Sequence, residues 1–229
     1  MKKILLAQDT ISNEDMCNLA AWILTFPRLT KGERTLEFED KWAKTVGTKF
    51  SVFVNSGSSA NLLMIDALIQ AKRLKNKKVV IPALCWITDI SPVIPLGLEP
   101  LLCDINLKDL SVDLVALELL FQNESPAALM LVNVLGMTPD MKAISELCKK
   151  YDVILLVDNC EGLGSKFDGN FIETYGLMSS CSLYYGHHLS CVEGGVITTD
   201  DEDVYNMLKM LRSHGWDRDI DNTRREALQ

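Results

Sequence analysis

The 229-residue sequence predicts an α/β domain built on a mostly parallel sheet. Short aliphatic and β-branched runs alternate with longer amphipathic ones along the chain. Several short runs are apolar at every position, as in Val153-Ile154-Leu155-Leu156-Val157, which suits strands covered on both faces. No internal repeat, low-complexity stretch or flexible linker interrupts the alternation.

In chain order, apolar residues at three- and four-residue steps predict helices over 12–25 (Met16, Leu19, Ala20, Ile23) and 35–46 (Phe38, Trp42, Val46). A β-branched run predicts a strand over 51–54, and the apolar stretch after it a helix over 59–73. Strands follow over 79–81 and 99–103, a helix over 114–121, a strand over 128–134 and a helix over 140–150. The last part reads as strands over 153–157, 180–184 and 195–199 and a helix over 202–213. The run 217–229 is charged, offers a core no apolar partner, and is expected to be ragged or a cut end.

Composition narrows the function classes. With 48% hydrophobic and 24% charged residues the chain can bury a sizeable core. A formal charge of -8 repels phosphate backbones and anionic lipid, so neither nucleic acid nor a membrane is expected as a partner. A small phosphate-bearing ligand remains compatible, because backbone amides can hold one inside an acidic protein. The opening stretch Met1 to Ala7 is too short for a signal peptide, and the other apolar runs are strand-sized. Seven scattered cysteines without a Cys-x-x-Cys pair read as reduced thiols, giving a cytoplasmic expectation with no zinc knuckle or disulfide framework.

In a parallel sheet ligands sit beyond the carboxyl ends of the strands, and four such ends here carry unusual residues. Val54-Asn55-Ser56-Gly57-Ser58-Ser59-Ala60-Asn61 places small residues and free amides at a helix start, suiting a phosphate; the bland reading is a serine cap. Asp158 closes a buried strand, where a carboxylate needs a cationic or hydrogen-bonding partner or simply caps the next turn. Trp86, after Ile81-Pro82-Ala83, can stack on a flat ring or fill the core. His187 and His188 precede a glycine pair; they suit proton transfer better than metal binding, since the third histidine, His214, is distant.

Together these pieces, in this order and spacing, resemble the DegT/DnrJ/EryC1/StrS sugar aminotransferases of the aspartate-aminotransferase fold. The likeness begins at Thr30-Lys31-Gly32-Glu33 and runs through Ser-Gly-Ser-Ser-Ala-Asn, Ile81-Pro82-Ala83 and Val157-Asp158-Asn159-Cys160-Glu161. It continues through Ser182 to Gly195 and ends at Leu211-Arg212-Ser213-His214-Gly215-Trp216. It implies a three-layer αβα domain over 31–216, like the large domain of fold-type I transferases, behind an N-terminal segment 1–30. The family's C-terminal small domain has no counterpart after Gln229, so a fragment or a non-catalytic cofactor-binding protein stays open.

The resemblance further implies pyridoxal or pyridoxamine 5'-phosphate as cofactor, its phosphate held by Gly57 and Ser58 with help from Ser182. Trp86 would stack on the ring, Asp158 pair with its nitrogen, and Glu161 lie near its hydroxyl. The family's Schiff-base lysine falls at His187, five residues after Ser182, and histidine cannot take over that covalent role. Lys166, the nearest lysine upstream, matches a surface hairpin position. A histidine at this place resembles the 3-dehydratase branch, which removes the C3 hydroxyl of a nucleotide-linked 4-keto-6-deoxy hexose, with a GDP-linked sugar the closest likeness and glutamate as amine donor. There His187 would be the base, with His188 structural. A sugar aminotransferase working without the lysine is the alternative. The branch with an iron–sulfur cluster is disfavoured, because residues 212–229 contain no cysteine. A homodimer with shared active sites follows from the resemblance alone.

Overall fold

A computed structural model of the chain describes residues 9–220; the opening Met1–Ala7 stretch and the charged run past 220 lie outside the described residues. The elements are α1 (Asn13–Ile23), α2 (Glu33–Val46), β1 (Phe50–Val54), α3 (Gly57–Gln70), β2 (Lys78–Pro82), α4 (Ile87–Ile90) and β3 (Glu99–Cys103). Then come α5 (Leu114–Glu124), β4 (Ala128–Val132), α6 (Met141–Lys150), β5 (Ile154–Asp158), β6 (Lys166–Phe167), β7 (Asn170–Phe171), β8 (Met178–Ser182), β9 (Gly195–Thr199) and α7 (Glu202–Leu211).

Seven strands form one sheet in the order β1-β9-β8-β5-β4-β2-β3. β9 runs antiparallel to both β8 and β1, while the pairs from β8 through β3 are parallel, so β1 runs with the others and β9 alone opposes them. Strand periodicity sorts the core. Val79, Ile81, Met130 and Leu156 pack on one face with Met64 and Leu68 of α3 and Val204 and Leu208 of α7. Val80, Leu129, Leu131, Leu155 and Val157 pack on the other with Phe121 of α5 and Ile144 of α6. This is the three-layer arrangement, and it explains why these strands show no polar alternation.

Several boundaries differ from the sequence expectation for identifiable reasons. α3 starts at Gly57, because the Ser56 hydroxyl caps it by accepting from Ser59 N at 3.0 Å, and it ends at Gln70 before Lys72 takes φ 53°. β4 stops at Val132, where Asn133 and Leu135 (φ 52°) turn the chain. The strand expected over 180–184 occupies Met178–Ser182, because Leu183 and Tyr185 already pair with Gly194 and Val192 across the next loop. Its serines are poor strand formers alone but are buried here, with the Ser180 hydroxyl bonded to Asn61 Oδ1 at 2.6 Å. The helix α4 and the β6–β7 hairpin are additions; the hairpin turns on Asp168-Gly169, both at positive φ. The run from 217 also supplies an apolar group after all: Ile220 is buried, beside an ion pair between Lys31 and Asp219.

Candidate functional site

The carboxyl ends of β1, β2, β4, β5 and β8 open on one edge of the sheet, and the residues singled out above lie there. At the end of β1 the chain turns into α3 with so little room that a Cβ on Gly57 would stand 2.7 Å from Ser182 Cβ and 2.9 Å from Cys160 Sγ. Gly195, opening β9, is pressed against the same turn: its Cβ would stand 2.3 Å from Ser56 O. Ser56 satisfies the third amide of the helix, leaving the Gly57 and Ser58 amides at its positive end. Ser58 is exposed, and at the end of β8 the Ser182 Oγ accepts from Tyr184 N at 3.3 Å. The serine cap is therefore Ser56, and Ser58 stays available to a ligand.

Asp158 closes β5 with 4% exposure. Its hydrogen bonds come from neutral donors: Asn61 Nδ2 reaches Oδ2 at 2.6 Å, and Cys160 N reaches Oδ1 at 2.8 Å. A carboxylate so buried calls for a cation, and a protonated heteroaromatic nitrogen supplies one. Trp86 is 66% exposed, so the core reading of its indole does not hold. It caps α4, whose Asp89 accepts from Trp86 N at 3.0 Å. Glu161, half-buried, accepts from Leu135 N at 2.7 Å and so pins the turn after β4 to the loop after β5.

His187 stands in the loop between β8 and β9, its N–H bonded to Tyr184 O at 3.0 Å. Partial burial lowers its pKa, working against the carboxylates of Glu161 and Asp158, which raise it. The imidazole is thus held neutral, the state of a proton acceptor. His188 is exposed next to it. Lys166 sits on the β6–β7 hairpin with Nζ 4.3 Å over the Phe171 ring.

The chemistry of this donor set fits pyridoxal phosphate: amides at a helix start for the phosphate, an exposed indole for a ring face, and a buried carboxylate lacking a cation for a ring nitrogen. Sequence reasoning missed Asn61 and Asp89, both fully buried and both bonded into this site. The spacing of Trp86 and Asp89, the N-cap and third position of a helix, was the available signal.

A family model described as the DegT/DnrJ/EryC1/StrS aminotransferase family matches residues 10–228. The GDP-4-keto-6-deoxy-D-mannose 3-dehydratase of Escherichia coli O55:H7 is 39% identical over 201 residues, covering 86% of this chain and 52% of its own length. The enzyme of the same name from Yersinia pseudotuberculosis is 38% identical over 227 residues, 96% of this chain and 57% of its own. The solved structure of the E. coli dehydratase with bound hydrated PLP superposes with a TM-score of 0.90 at 36% identity, over 96% of this chain and 57% of that one. The chain spans a little over half the length of these relatives.

Proposed function

The chain belongs to the DegT/DnrJ/EryC1/StrS aminotransferase family, and on that premise we propose that it acts as a nucleotide-sugar 3-dehydratase using pyridoxal and pyridoxamine 5'-phosphate. His187 carries the reading: a half-buried imidazole whose pKa burial lowers, at the position where the family resemblance puts the aminotransferase lysine. The two dehydratases similar to this chain support the reaction type and the substrate, a GDP-4-keto-6-deoxy hexose.

The residues divide the work. The amides of Gly57 and Ser58, with the Ser182 hydroxyl, hold the phosphate; the Trp86 indole covers one ring face; Asp158 keeps the ring nitrogen protonated; Glu161 orients the ring at its hydroxyl edge. When bound, the cofactor supplies an amine for the sugar's 4-keto carbon and an electron sink that lets the C3 hydroxyl depart. His187 takes a proton from the carbon bearing the amine and returns it to the departing C3 oxygen, so that water leaves. The products would be a 3-deoxy-4-keto sugar and ammonia, with glutamate, released as 2-oxoglutarate, as the amine donor. The protein works in the cytoplasm as a homodimer, in deoxysugar formation for the lipopolysaccharide O-antigen, a setting compatible with described helices none of which is long and apolar enough to cross a membrane.

Mass spectrometry of the sugar product decides between the readings, with the protein given pyridoxamine phosphate, glutamate and GDP-4-keto-6-deoxymannose. A product lacking the C3 oxygen, with ammonia released, is expected. An amino sugar would move the protein to the aminotransferases. Bound cofactor without product would favour a non-catalytic binding protein or another nucleotide sugar.

A further inference from the structure

Asp89 is fully buried and has no part in the roles given above. Its Oδ2 accepts from Trp86 N at 3.0 Å, and its Oδ1 accepts from Asn61 Nδ2 at 3.2 Å. The same amide nitrogen gives its shorter bond, 2.6 Å, to Asp158 Oδ2. The orientation of the amide is settled from behind, because Asn61 Oδ1 accepts the Ser180 hydroxyl at 2.6 Å. One buried asparagine therefore spans two buried carboxyls, Asp89 and Asp158. The acidic groups acting on Asp89 are Asp158 and Glu161, and the Cys85 and Cys160 thiols nearby are pushed up by burial first and then by Asp89 and Asp158. Burial and the Asp158 charge act on Asp89 in one direction, toward the protonated form.

We propose that Asp89 serves as a neutral carboxylic acid which, with Asn61, clamps the Trp86 turn to Asp158, setting the ring-stacking indole and the ring-nitrogen carboxylate in one register. Trp86 and Asp158 lie on different segments, the turn after β2 and the end of β5; the bonds through Asp89 and Asn61 join them directly. Asp89 is thus a positioning residue, acting on the ring through Trp86 and Asp158. The inference rests on the cofactor reading of Trp86 and Asp158.

The test pairs Asp89→Asn with Asp89→Leu. Asparagine can still accept from Trp86 N and keeps a polar group beside Asn61, whereas leucine can do neither. Infrared spectroscopy of the ligand-free chain near neutral pH is expected to show a protonated-carboxyl band that Asp89→Asn removes; an unchanged spectrum would overturn the proposal whatever the protein binds. Titration with pyridoxal phosphate, followed by absorbance, is expected to give Asp89→Asn an affinity close to the parent and an unshifted band. Asp89→Leu should lose roughly tenfold or more, with a displaced band. Equal losses in the two variants would overturn the clamp while leaving the functional reading intact. Failure of the parent to bind the cofactor would instead sink that reading and the clamp's purpose, with the infrared band still deciding the state of Asp89. Should Asp89→Leu not fold, the infrared band and the affinity of Asp89→Asn carry the decision.

Discussion

Gly57 and Ser182 come together so closely that a methyl group on the glycine would stand 2.7 Å from the serine Cβ, with Cys160 Sγ at 2.9 Å on the other side. Helix start and strand end are packed as one surface, and the only side chain that permits it is hydrogen. This makes the turn a rigid cradle whose amides keep their direction.

Gly57→Ala is therefore expected to cost about 1–3 kcal/mol of stability through overpacking. It should also weaken pyridoxal phosphate binding, because either Ser182 or the first turn of α3 must retreat. Denaturant unfolding and cofactor titration read the two effects separately. Unchanged values in both would mean that the turn yields freely and is no preformed cradle.

His187 should show itself in the pH profile. Burial lowers its pKa from the usual 6.5, so the imidazole is a free base at neutral pH. Activity that needs the base is then full near neutrality and falls as pH drops through a value below 6.5. His187→Asn should reduce turnover by roughly 10²–10⁴-fold with cofactor affinity nearly unchanged. A variant retaining most of the activity would remove His187 from the proton-transfer role.

The strand–helix alternation and the four polar strand ends were legible in the sequence because burial on both faces and ligand contact leave local marks, as in Val153 to Val157 followed by Asp158. What stayed hidden depends on contacts distant in the chain. The strand expected from Ser180 onward begins two residues earlier, at Met178, and Ser180 is buried in it because Asn61, 119 positions away, takes its hydroxyl. Only the fold brings Asp89 to Asn61. The strand expected to run to 134 stops at Val132, and the Glu161 carboxylate accepts the Leu135 N–H in the turn that follows.

The contribution of Asp89 to ligand-free stability should fall as pH rises. Asp89 is protonated in the fold and has its ordinary value of 3.8 when unfolded, so above 3.8 the folded chain binds more protons than the unfolded one. Its contribution is complete below 3.8 and drains away upward toward the raised folded value. Glu173, also pushed up by burial, acts with the same sign. The stability of the parent should thus fall with rising pH relative to Asp89→Asn, since the lowered Asp15, Glu37, Glu118, Asp219 and His187 act in the opposite sense in both. An identical slope in parent and variant would show that Asp89 ionises freely.

The sheet edge at β1 offers the last test. Glu39 on α2 accepts from Phe53 N at 2.7 Å, while Arg212, just past α7, donates to Phe53 O at 2.9 Å and to Glu39 itself. Side chains thereby satisfy backbone groups on the open side of an edge strand, the strand that delivers the chain to Gly57. Both side chains are largely buried, at 8% and 12% exposure, so removing one strands the other's charge. Arg212→Met or Glu39→Gln is expected to cost about 3–5 kcal/mol, measured by denaturant unfolding. The double change to apolar residues should recover part of the loss, since the surviving buried charge is what costs most. Single variants within about 1 kcal/mol of the parent would place the pair in the class of screened surface bridges and leave β1 anchored by its pairing with β9 alone.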